Sequence, residues 1–123
     1  MDKKKILIVD DEPDLVEMLS VRLEANDYQV IKAYDGQDGL DKAQKEKPDL
    51  IVLDLMLPKL DGYNVCRLLK FDEKYKQIPI MLFSARTQET DMELGKEVGA
   101  DAYIVKPFEA SIVLAKVNEL LKK

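Results

Sequence analysis

The chain has 123 residues, of which 46% are hydrophobic and 35% are charged, and its formal net charge is −5. This length and composition predict one globular domain over residues 1–123 and exclude a disordered chain. The acidic balance argues against direct binding of nucleic acid, which requires clustered lysine and arginine. The three lysines at positions 3–5 are typical of a solvated strand edge.

Location and thiol chemistry are constrained in the same way. The sequence contains no apolar run of membrane-spanning length and no signal-type segment, so we expect a cytoplasmic protein that does not enter a membrane. Its single cysteine, Cys66, cannot form an internal disulfide. We expect Cys66 to be a buried apolar residue rather than a reactive thiol.

The first half of the chain alternates short apolar runs with helical patterns. Residues 6–9 predict a strand covered on both faces, and Pro13 then opens a helix with leucines at four-residue spacing. Residues 28–33 predict the second strand and residues 36–45 the second helix. The fully apolar run 50–53 is the best candidate for the central strand.

The second half repeats this alternation. Leu57 and Pro58 break the chain, Asp61 caps a predicted helix over 62–71, and the inner face of that helix is assigned to three residues: Val65, Leu68 and Leu69. Residues 79–83 predict the fourth strand, and 87–98 a helix closed by Gly99 in a left-handed conformation. Residues 102–105 predict the fifth strand. The last predicted helix, 110–121, offers four packing residues: Ile112, Leu114, Val117 and Leu121.

This strict alternation of strand and helix over five units defines the fold class. It predicts an α/β domain with a five-stranded parallel sheet, right-handed crossovers and five helices covering both faces, which is a doubly wound architecture. In such sheets, ligands bind outside the carboxyl ends of the strands, near the point where the strand order reverses.

Polar side chains follow four of the predicted strands at the positions where those strands end. They are Asp10, Asp11 and Glu12 after the first strand, Asp54 after the third, Ser84 and Arg86 after the fourth, and Lys106 after the fifth. Taken singly, Asp10 or Asp11 is explained equally well by capping the helix that opens at Pro13. Three aspartates at one sheet edge repel one another, however, and this predicts a shared binding site.

The composition of this edge indicates a metal. Three carboxylates in a low-dielectric setting are mutually destabilised unless a cation neutralises them. The sequence has no histidine, so oxygen ligands are expected, and these favour Mg²⁺, or alternatively Mn²⁺, over zinc. Asp54 ends the most apolar strand and is the predicted nucleophile for a phosphoryl group. Lys106 and Ser84 would bind phosphoryl oxygens, and Lys106 would pair with Asp54 in the unmodified state.

At these residues the chain is similar to the receiver domain of two-component response regulators, the family of the chemotaxis signalling regulator. The resemblance spans essentially the whole chain and rests on five segments: Ile-Leu-Ile-Val-Asp10-Asp11-Glu12-Pro13, Leu-Asp54-Leu-Met-Leu-Pro58, Asp61-Gly62-Tyr63, Phe83-Ser84-Ala85 and Tyr103-Ile-Val-Lys106-Pro107-Phe108. It implies the flavodoxin-like strand order 2-1-3-4-5 already known for this family.

The resemblance also implies a role for each matching residue. Asp54 corresponds to the phosphorylated aspartate, Asp11 to a direct Mg²⁺ ligand with Asp10 acting beside it, and Met56 to the residue whose backbone carbonyl binds the metal. Lys106 corresponds to the phosphoryl-binding lysine, followed by a cis bond to Pro107. Two further sets complete the implied site: the switch residues Ser84 and Tyr103, and the side chains of Met56 and Arg86 at its mouth.

The implied partners are other signalling proteins. A sensor histidine kinase or a histidine phosphotransfer protein would supply the phosphoryl group, and an output protein or domain would bind the surface of the fourth helix, fifth strand and fifth helix. The chain would then act as a switch and not as an enzyme. Asp101-Ala102-Tyr103 lacks the second acid found in many dimeric receivers, so both a monomer and a phosphorylation-dependent dimer stay open. Tyr103 would otherwise be an ordinary strand aromatic.

Other assignments are weaker. A haloacid-dehalogenase-type phosphatase would need an acid where Met56 stands, and a flavin mononucleotide carrier would need amide donors where Asp10 and Asp11 stand. A degenerate receiver would lack part of the side-chain set. The chain is either a stand-alone regulator or the N-terminal receiver of a longer DNA-binding transcriptional regulator. The kinase, the stimulus and the output cannot be identified from these residues.

Overall fold

The computed structural model describes residues 3–84 and 96–121. The elements in this part of the chain are β1 (Lys5–Val9), α1 (Pro13–Ala25), β2 (Gln29–Ala33), α2 (Gly36–Glu46), β3 (Leu50–Asp54), α3 (Gly62–Lys70), β4 (Ile80–Ser84), β5 (Ala102–Val105) and a final helix, Ala110–Leu120. Most of the fourth predicted helix, over 87–98, lies outside the described residues, so four of the five predicted helices are described. Gly99, predicted to be left-handed, has a φ of 84°.

The five strands form one parallel sheet in the order β2-β1-β3-β4-β5. This confirms the predicted α/β fold and its flavodoxin-like strand order. β1 lies beside both β2 and β3, so the strand order reverses there, and the carboxyl ends of β1 and β3 open on the crevice. Val9 lies opposite Leu53, and Asp54 lies opposite Phe83.

Alternate residues of each strand enter different cores, because successive side chains of a strand point to opposite faces. Leu7, Leu53 and Leu82 pack in the cluster that includes α2 and α3 residues. Ile8, Val52 and Phe83 pack in the other cluster, with α1 and the 110–120 helix. The central strands β1, β3 and β4 are therefore covered on both faces, as their continuous apolar sequences predict.

Two predicted packing residues are on the surface instead. Leu68 is 52% exposed, and the buried stripe of α3 contains Gly62, Val65, Cys66 and Leu69. Ile112 is 54% exposed, whereas Val113 and Val117 are fully buried. The assignments of Leu68 to the inner face of its helix and of Ile112 to a packing role were therefore wrong. Cys66 is buried as predicted, and burial raises the pKa of its thiol to about 12.

Local signals set the helix boundaries that position the site. Asp61 caps α3 by accepting a hydrogen bond from Asn64 N at 3.0 Å, as predicted. Glu12 occupies the N-cap position of α1 without a side-chain capping bond. The N-cap residue is therefore neither Asp10 nor Asp11. Within the described ranges, no helix combines the length and apolar character needed to cross a bilayer.

Candidate functional site

The ends of four strands bring the predicted site residues together. Asp10 follows β1, Asp54 is the last residue of β3, Ser84 is the last residue of β4, and Lys106 follows β5. The Asp10, Asp54 and Ser84 residues are at most 4% exposed. Their positions follow from the sheet register, since parallel strands end at a common edge.

Lys106 connects these strand ends. Its Nζ donates to Asp10 Oδ2 at 2.8 Å, to Glu12 Oε1 at 3.1 Å and to Asp54 Oδ2 at 3.4 Å. The predicted pairing of Lys106 with Asp54 is therefore present, but Asp10 is the nearer partner. Backbone contacts hold the lysine in place: Lys106 N donates to Ser84 O at 2.6 Å, and the Lys106–Pro107 bond is cis as expected.

The two buried carboxylates are fixed by the backbone as well. Asp10 Oδ1 accepts a hydrogen bond from Glu12 N at 3.0 Å, and Asp54 Oδ1 accepts one from Met56 N at 3.3 Å. Met56 therefore has its backbone at the site while its side chain is exposed at the surface, with the residue 60% accessible. Each carboxylate keeps one oxygen directed to Lys106.

Burial raises the pKa values of both buried carboxyls. The pKa of Asp54 rises from 3.8 to about 6, first because of burial and second because of repulsion by Asp10, and Lys106 and Met56 N oppose the rise. Burial likewise raises the pKa of Asp10 against the opposing effect of Lys106. For Lys106, burial lowers the pKa, but the carboxylates of Asp10 and Glu12 outweigh it and the net pKa is raised.

A group of carboxylates suited to a hard cation lies beside this ion pair. One oxygen each of Asp10, Asp11 and Glu12 lies within 4.8 Å of the others. Asp10 is buried, whereas Asp11 and Glu12 are exposed. An all-oxygen set with open positions fits Mg²⁺, which keeps several waters and takes one or two carboxylates. Lys106 links Asp54 to this group, because its ammonium contacts Asp10, Glu12 and Asp54.

The predicted switch residues occupy the neighbouring strands. Ser84 is 1% exposed at the end of β4 and lies opposite Val105 in the sheet. Tyr103 lies opposite Leu82 and packs, partly buried, against the cluster of α2 and α3 residues. Arg86, expected at the mouth, lies outside the described residues.

Two contributors to the site were not predicted. Glu12 was recognised only as a third acid after β1, and its contact with Lys106 joins residues 94 positions apart. Gly62 belongs to a recognised segment, but its close approach to the site was not expected. A Cβ on Gly62 would lie 2.1 Å from Asp54 O and 2.7 Å from Leu55 Cα, so only glycine lets α3 begin against the end of β3.

The fold and this edge define a doubly wound α/β domain with a carboxylate and lysine site at its switch point. The family model described as "Response regulator receiver domain" matches residues 6–118. The chain therefore belongs to the response regulator receiver domain family and is a receiver domain of the two-component type. Proteins of this family are signalling switches that work with histidine kinases and output domains, and their acidic pockets generally bind Mg²⁺.

Curated relatives support the same assignment. The chain is 49% identical over 120 residues to the alkaline phosphatase synthesis transcriptional regulatory protein PhoP of Bacillus subtilis (strain 168), covering 98% of this chain and 49% of that protein. It is 44% identical over 119 residues to the DNA-binding dual master transcriptional regulator RpaA of Synechocystis sp. (strain ATCC 27184 / PCC 6803 / Kazusa), covering 97% and 49%. The chain thus spans about half the length of these relatives.

Solved structures agree with the fold. The chemotaxis response regulator CheY4 of Vibrio cholerae matches with a TM-score of 0.90 and 32% identity, covering 96% of this chain and 98% of that one. The BeF3-activated N-terminal receiver domain of Klebsiella pneumoniae RstA matches with a TM-score of 0.89 and 32% identity, covering 98% and 100%.

Proposed function

We propose that this receiver takes a phosphoryl group on Asp54, with Mg²⁺ bound at Asp10 and Asp11. The observation that carries the proposal is the placement of Asp54: a buried carboxylate at the end of the central strand, 3.4 Å from the ammonium of Lys106 and linked through it to a cation-binding group. A buried nucleophile held by two hydrogen bonds is oriented before the reaction begins.

The chemistry is a displacement at phosphorus. A carboxylate oxygen of Asp54 attacks the phosphoryl group of a phosphohistidine, a P–O bond forms, the P–N bond breaks, and the imidazole leaves and takes up a proton. Bound Mg²⁺ would neutralise phosphoryl oxygens during transfer. Asp10, Asp11, Asp54 and the backbone carbonyl of Met56 would hold the ion, and Lys106 would supply a second positive charge to the phosphoryl group.

The response of the domain would begin at Ser84. Phosphorylation adds negative charge and acceptor oxygens beside β4, and the Ser84 hydroxyl can donate to one of them. Tyr103, two residues before the partner of Ser84 in β5, would then move with it. This movement would shift the population between two packings of the surface around β5 and the 110–120 helix. We propose that surface as the output face.

The phosphoryl donor is proposed to be a sensor histidine kinase or a histidine phosphotransfer protein. A groove beside the site supports this proposal, since it opens next to Lys106 and carries apolar side chains for a partner helix. Its lining residues are Glu12, Leu15, Met18, Lys106, Pro107 and Phe108. Lys106, which lines this groove, lies 3.4 Å from the Asp54 carboxylate.

The wider assignment is also a proposal. Residues 1–123 form one receiver domain, which is either a stand-alone regulator or part of a longer DNA-binding transcriptional regulator, as its curated relatives are transcriptional regulators. We place it in the cytoplasm, as a monomer or a phosphorylation-dependent dimer. It assists only its own phosphorylation and dephosphorylation and turns over no other substrate, consistent with Met56 at the position where a phosphatase needs an acid.

A small acyl phosphate tests the proposal without the kinase. Protein incubated with acetyl phosphate and Mg²⁺ should gain one phosphoryl group by intact mass, and the gain should be lost with a chelator or in Asp54→Asn. Asp14→Asn removes an exposed acid of α1 and should label like the wild type. Labelling of Asp54→Asn at the wild-type level, or labelling that does not need a divalent metal, overturns the mechanism.

A further inference from the structure

Of the three carboxylates that contact Lys106 in the described part of the chain, Glu12 is the most exposed to water. Its side chain is 60% exposed, against 0% for Asp10 and 6% for Asp54. Even so, the Glu12 carboxylate lies 3.1 Å from Lys106 Nζ, nearer than the 3.4 Å of Asp54. Among the described residues, three carboxylates contact this ammonium, which has one proton for each of them. Glu12 and Asp54 therefore share one positive charge, and that charge lies nearer to Glu12.

We propose that Glu12 is a positioning residue that holds Lys106 toward the β1–α1 connection and limits how much of its charge reaches Asp54. The inference rests on the proposed function, because Lys106 must serve the phosphoryl group for this sharing to matter. Asp10 cannot take this role, because its side chain is buried and fixed. Its Oδ1 accepts a hydrogen bond from Glu12 N at 3.0 Å.

Cation binding makes the competition direct. A cation held by Asp10 and Asp11 would draw on the Asp10 carboxylate and would repel the ammonium of Lys106. Lys106 then has two remaining carboxylate partners among those it contacts, Glu12 and the phosphoacceptor Asp54. An ion pair with an exposed partner stabilises by about 0.2–1 kcal/mol, which corresponds to a factor of up to about five in an equilibrium constant.

Beryllofluoride binding measures this competition. The anion is named as the activator of solved receiver domains similar to this one, and its affinity reports how well the site holds a phosphoryl-like group. In saturating Mg²⁺, Glu12→Gln should bind beryllofluoride about two- to fivefold more tightly than the wild type by NMR titration. Asp14→Asn, which removes an exposed acid two residues further on in the first turn of α1, should bind like the wild type.

A double-mutant cycle separates positioning from a general charge effect. If Glu12 acts through Lys106, the gain from Glu12→Gln disappears in a Lys106→Gln background. An equal gain in both backgrounds, or no gain in either, overturns the proposal. Acetyl phosphate labelling of the wild type is run in parallel: labelling at Asp54 with no effect of Glu12→Gln refutes this inference alone, whereas absent labelling refutes the proposed function.

Discussion

Lys106 and Asp54 are 52 residues apart in the sequence, yet Lys106 Nζ lies 3.4 Å from Asp54 Oδ2. Asp54 ends β3 and Lys106 follows β5, and β4 lies between these strands in the sheet. The ion pair therefore spans the carboxyl end of β4. Both side chains are largely buried, with 12% and 6% exposed. A paired ammonium thus offsets part of the cost of burying Asp10 and Asp54 together.

Removing this ammonium should destabilise the metal-free protein. Lys106→Met leaves two buried carboxylates without their cation, and we expect a loss of the order of 3 kcal/mol in the free energy of unfolding at pH 7.5. Urea denaturation measures the loss, with Lys116→Met as the control, since the side chain of Lys116 is 38% exposed and pairs with Glu119. The loss should shrink at pH 5, where Asp54 takes up a proton. An equal loss at both pH values contradicts this account.

The raised pKa of Asp54 predicts how stability depends on pH. Its pKa is about 6 in the fold against an ordinary 3.8, so the folded state binds the proton more tightly between these values. The resulting stabilisation is fully present below pH 3.8 and is lost as the pH rises through 6. At pH 7.5, Asp54→Asn should therefore be more stable than the wild type, by up to about 3 kcal/mol.

Urea denaturation across pH checks this sign. The advantage of Asp54→Asn should fall steadily as the pH decreases from 7 to 4, since the wild-type carboxyl becomes neutral over that window. Asp14→Asn should follow the wild-type curve. If Asp54→Asn is less stable than the wild type at pH 7.5 without metal, ionised Asp54 stabilises the fold and the burial argument fails.

Divalent metal should act on the same charges. Mg²⁺ at the proposed site should raise the melting temperature, because a ligand of the folded state stabilises it by RT ln(1 + [Mg²⁺]/Kd). The increase should be large at pH 7.5 and small at pH 5, because protons compete for the carboxylates of Asp10 and Asp54. Differential scanning calorimetry with and without Mg²⁺ measures it. Asp10→Asn should abolish most of the increase, whereas Asp72→Asn, on the connection after α3, should keep it.

The fold was predictable because its signals are local. Continuous apolar runs at 6–9 and 50–53 mark strands covered on both faces, and Pro13, Asp61 and Gly99 mark helix ends. Leu68 is an apolar residue whose position these local signals do not predict. At 100° per residue, Leu68 lies roughly 110° from the centre of the stripe formed by the buried residues of α3. Its side chain therefore points away from the core and toward solvent.

The sequence predicted which residues meet at the strand ends, but not which contacts they make there. The rule that ligands bind at the carboxyl edge of a parallel sheet brought Asp10, Asp54, Ser84 and Lys106 together in advance. The order of the contacts was not accessible, since it depends on how the side chain of Lys106 crosses the edge. The Glu12 contact and the close approach at Gly62 are tertiary features of this kind.

Gly62 should be intolerant of any side chain. A Cβ there would meet backbone atoms of Asp54 and Leu55, which cannot move without shifting the phosphoacceptor. We expect Gly62→Ala to lower the free energy of unfolding by about 1–3 kcal/mol and to slow acetyl phosphate labelling. Gly39→Ala is a comparison variant that should also cost stability, since its Cβ would lie 2.7 Å from Val9 Cγ1, but its three nearest neighbours are side-chain atoms rather than the backbone of the phosphoacceptor strand. Normal stability and labelling of Gly62→Ala would contradict the observed packing.

A second largely covered lysine lies at the opposite end of the sheet. Lys70 has 10% of its side chain exposed and lies 2.7 Å from Asp101 Oδ2. Its Nζ also donates to Lys76 O at 3.1 Å and to Ile78 O at 2.8 Å. Asp101 in turn accepts a hydrogen bond from Ile80 N at 2.8 Å. These contacts join the end of α3 to the starts of β4 and β5.

Lys70→Met should therefore cost stability without affecting the chemistry of the site. The substitution keeps the apolar stem but removes the Lys70 donor from two carbonyls and from the Asp101 carboxylate, which keeps its bond from Ile80 N. We therefore expect a loss of about 1–3 kcal/mol in the free energy of unfolding. Lys74→Met, at an exposed position on the same connection, should change little. Acetyl phosphate labelling of folded Lys70→Met should reach the wild-type level, because Asp54 and Lys106 lie at the other end of the strands. A loss of labelling in the folded variant would show that the two ends of β4 and β5 are coupled.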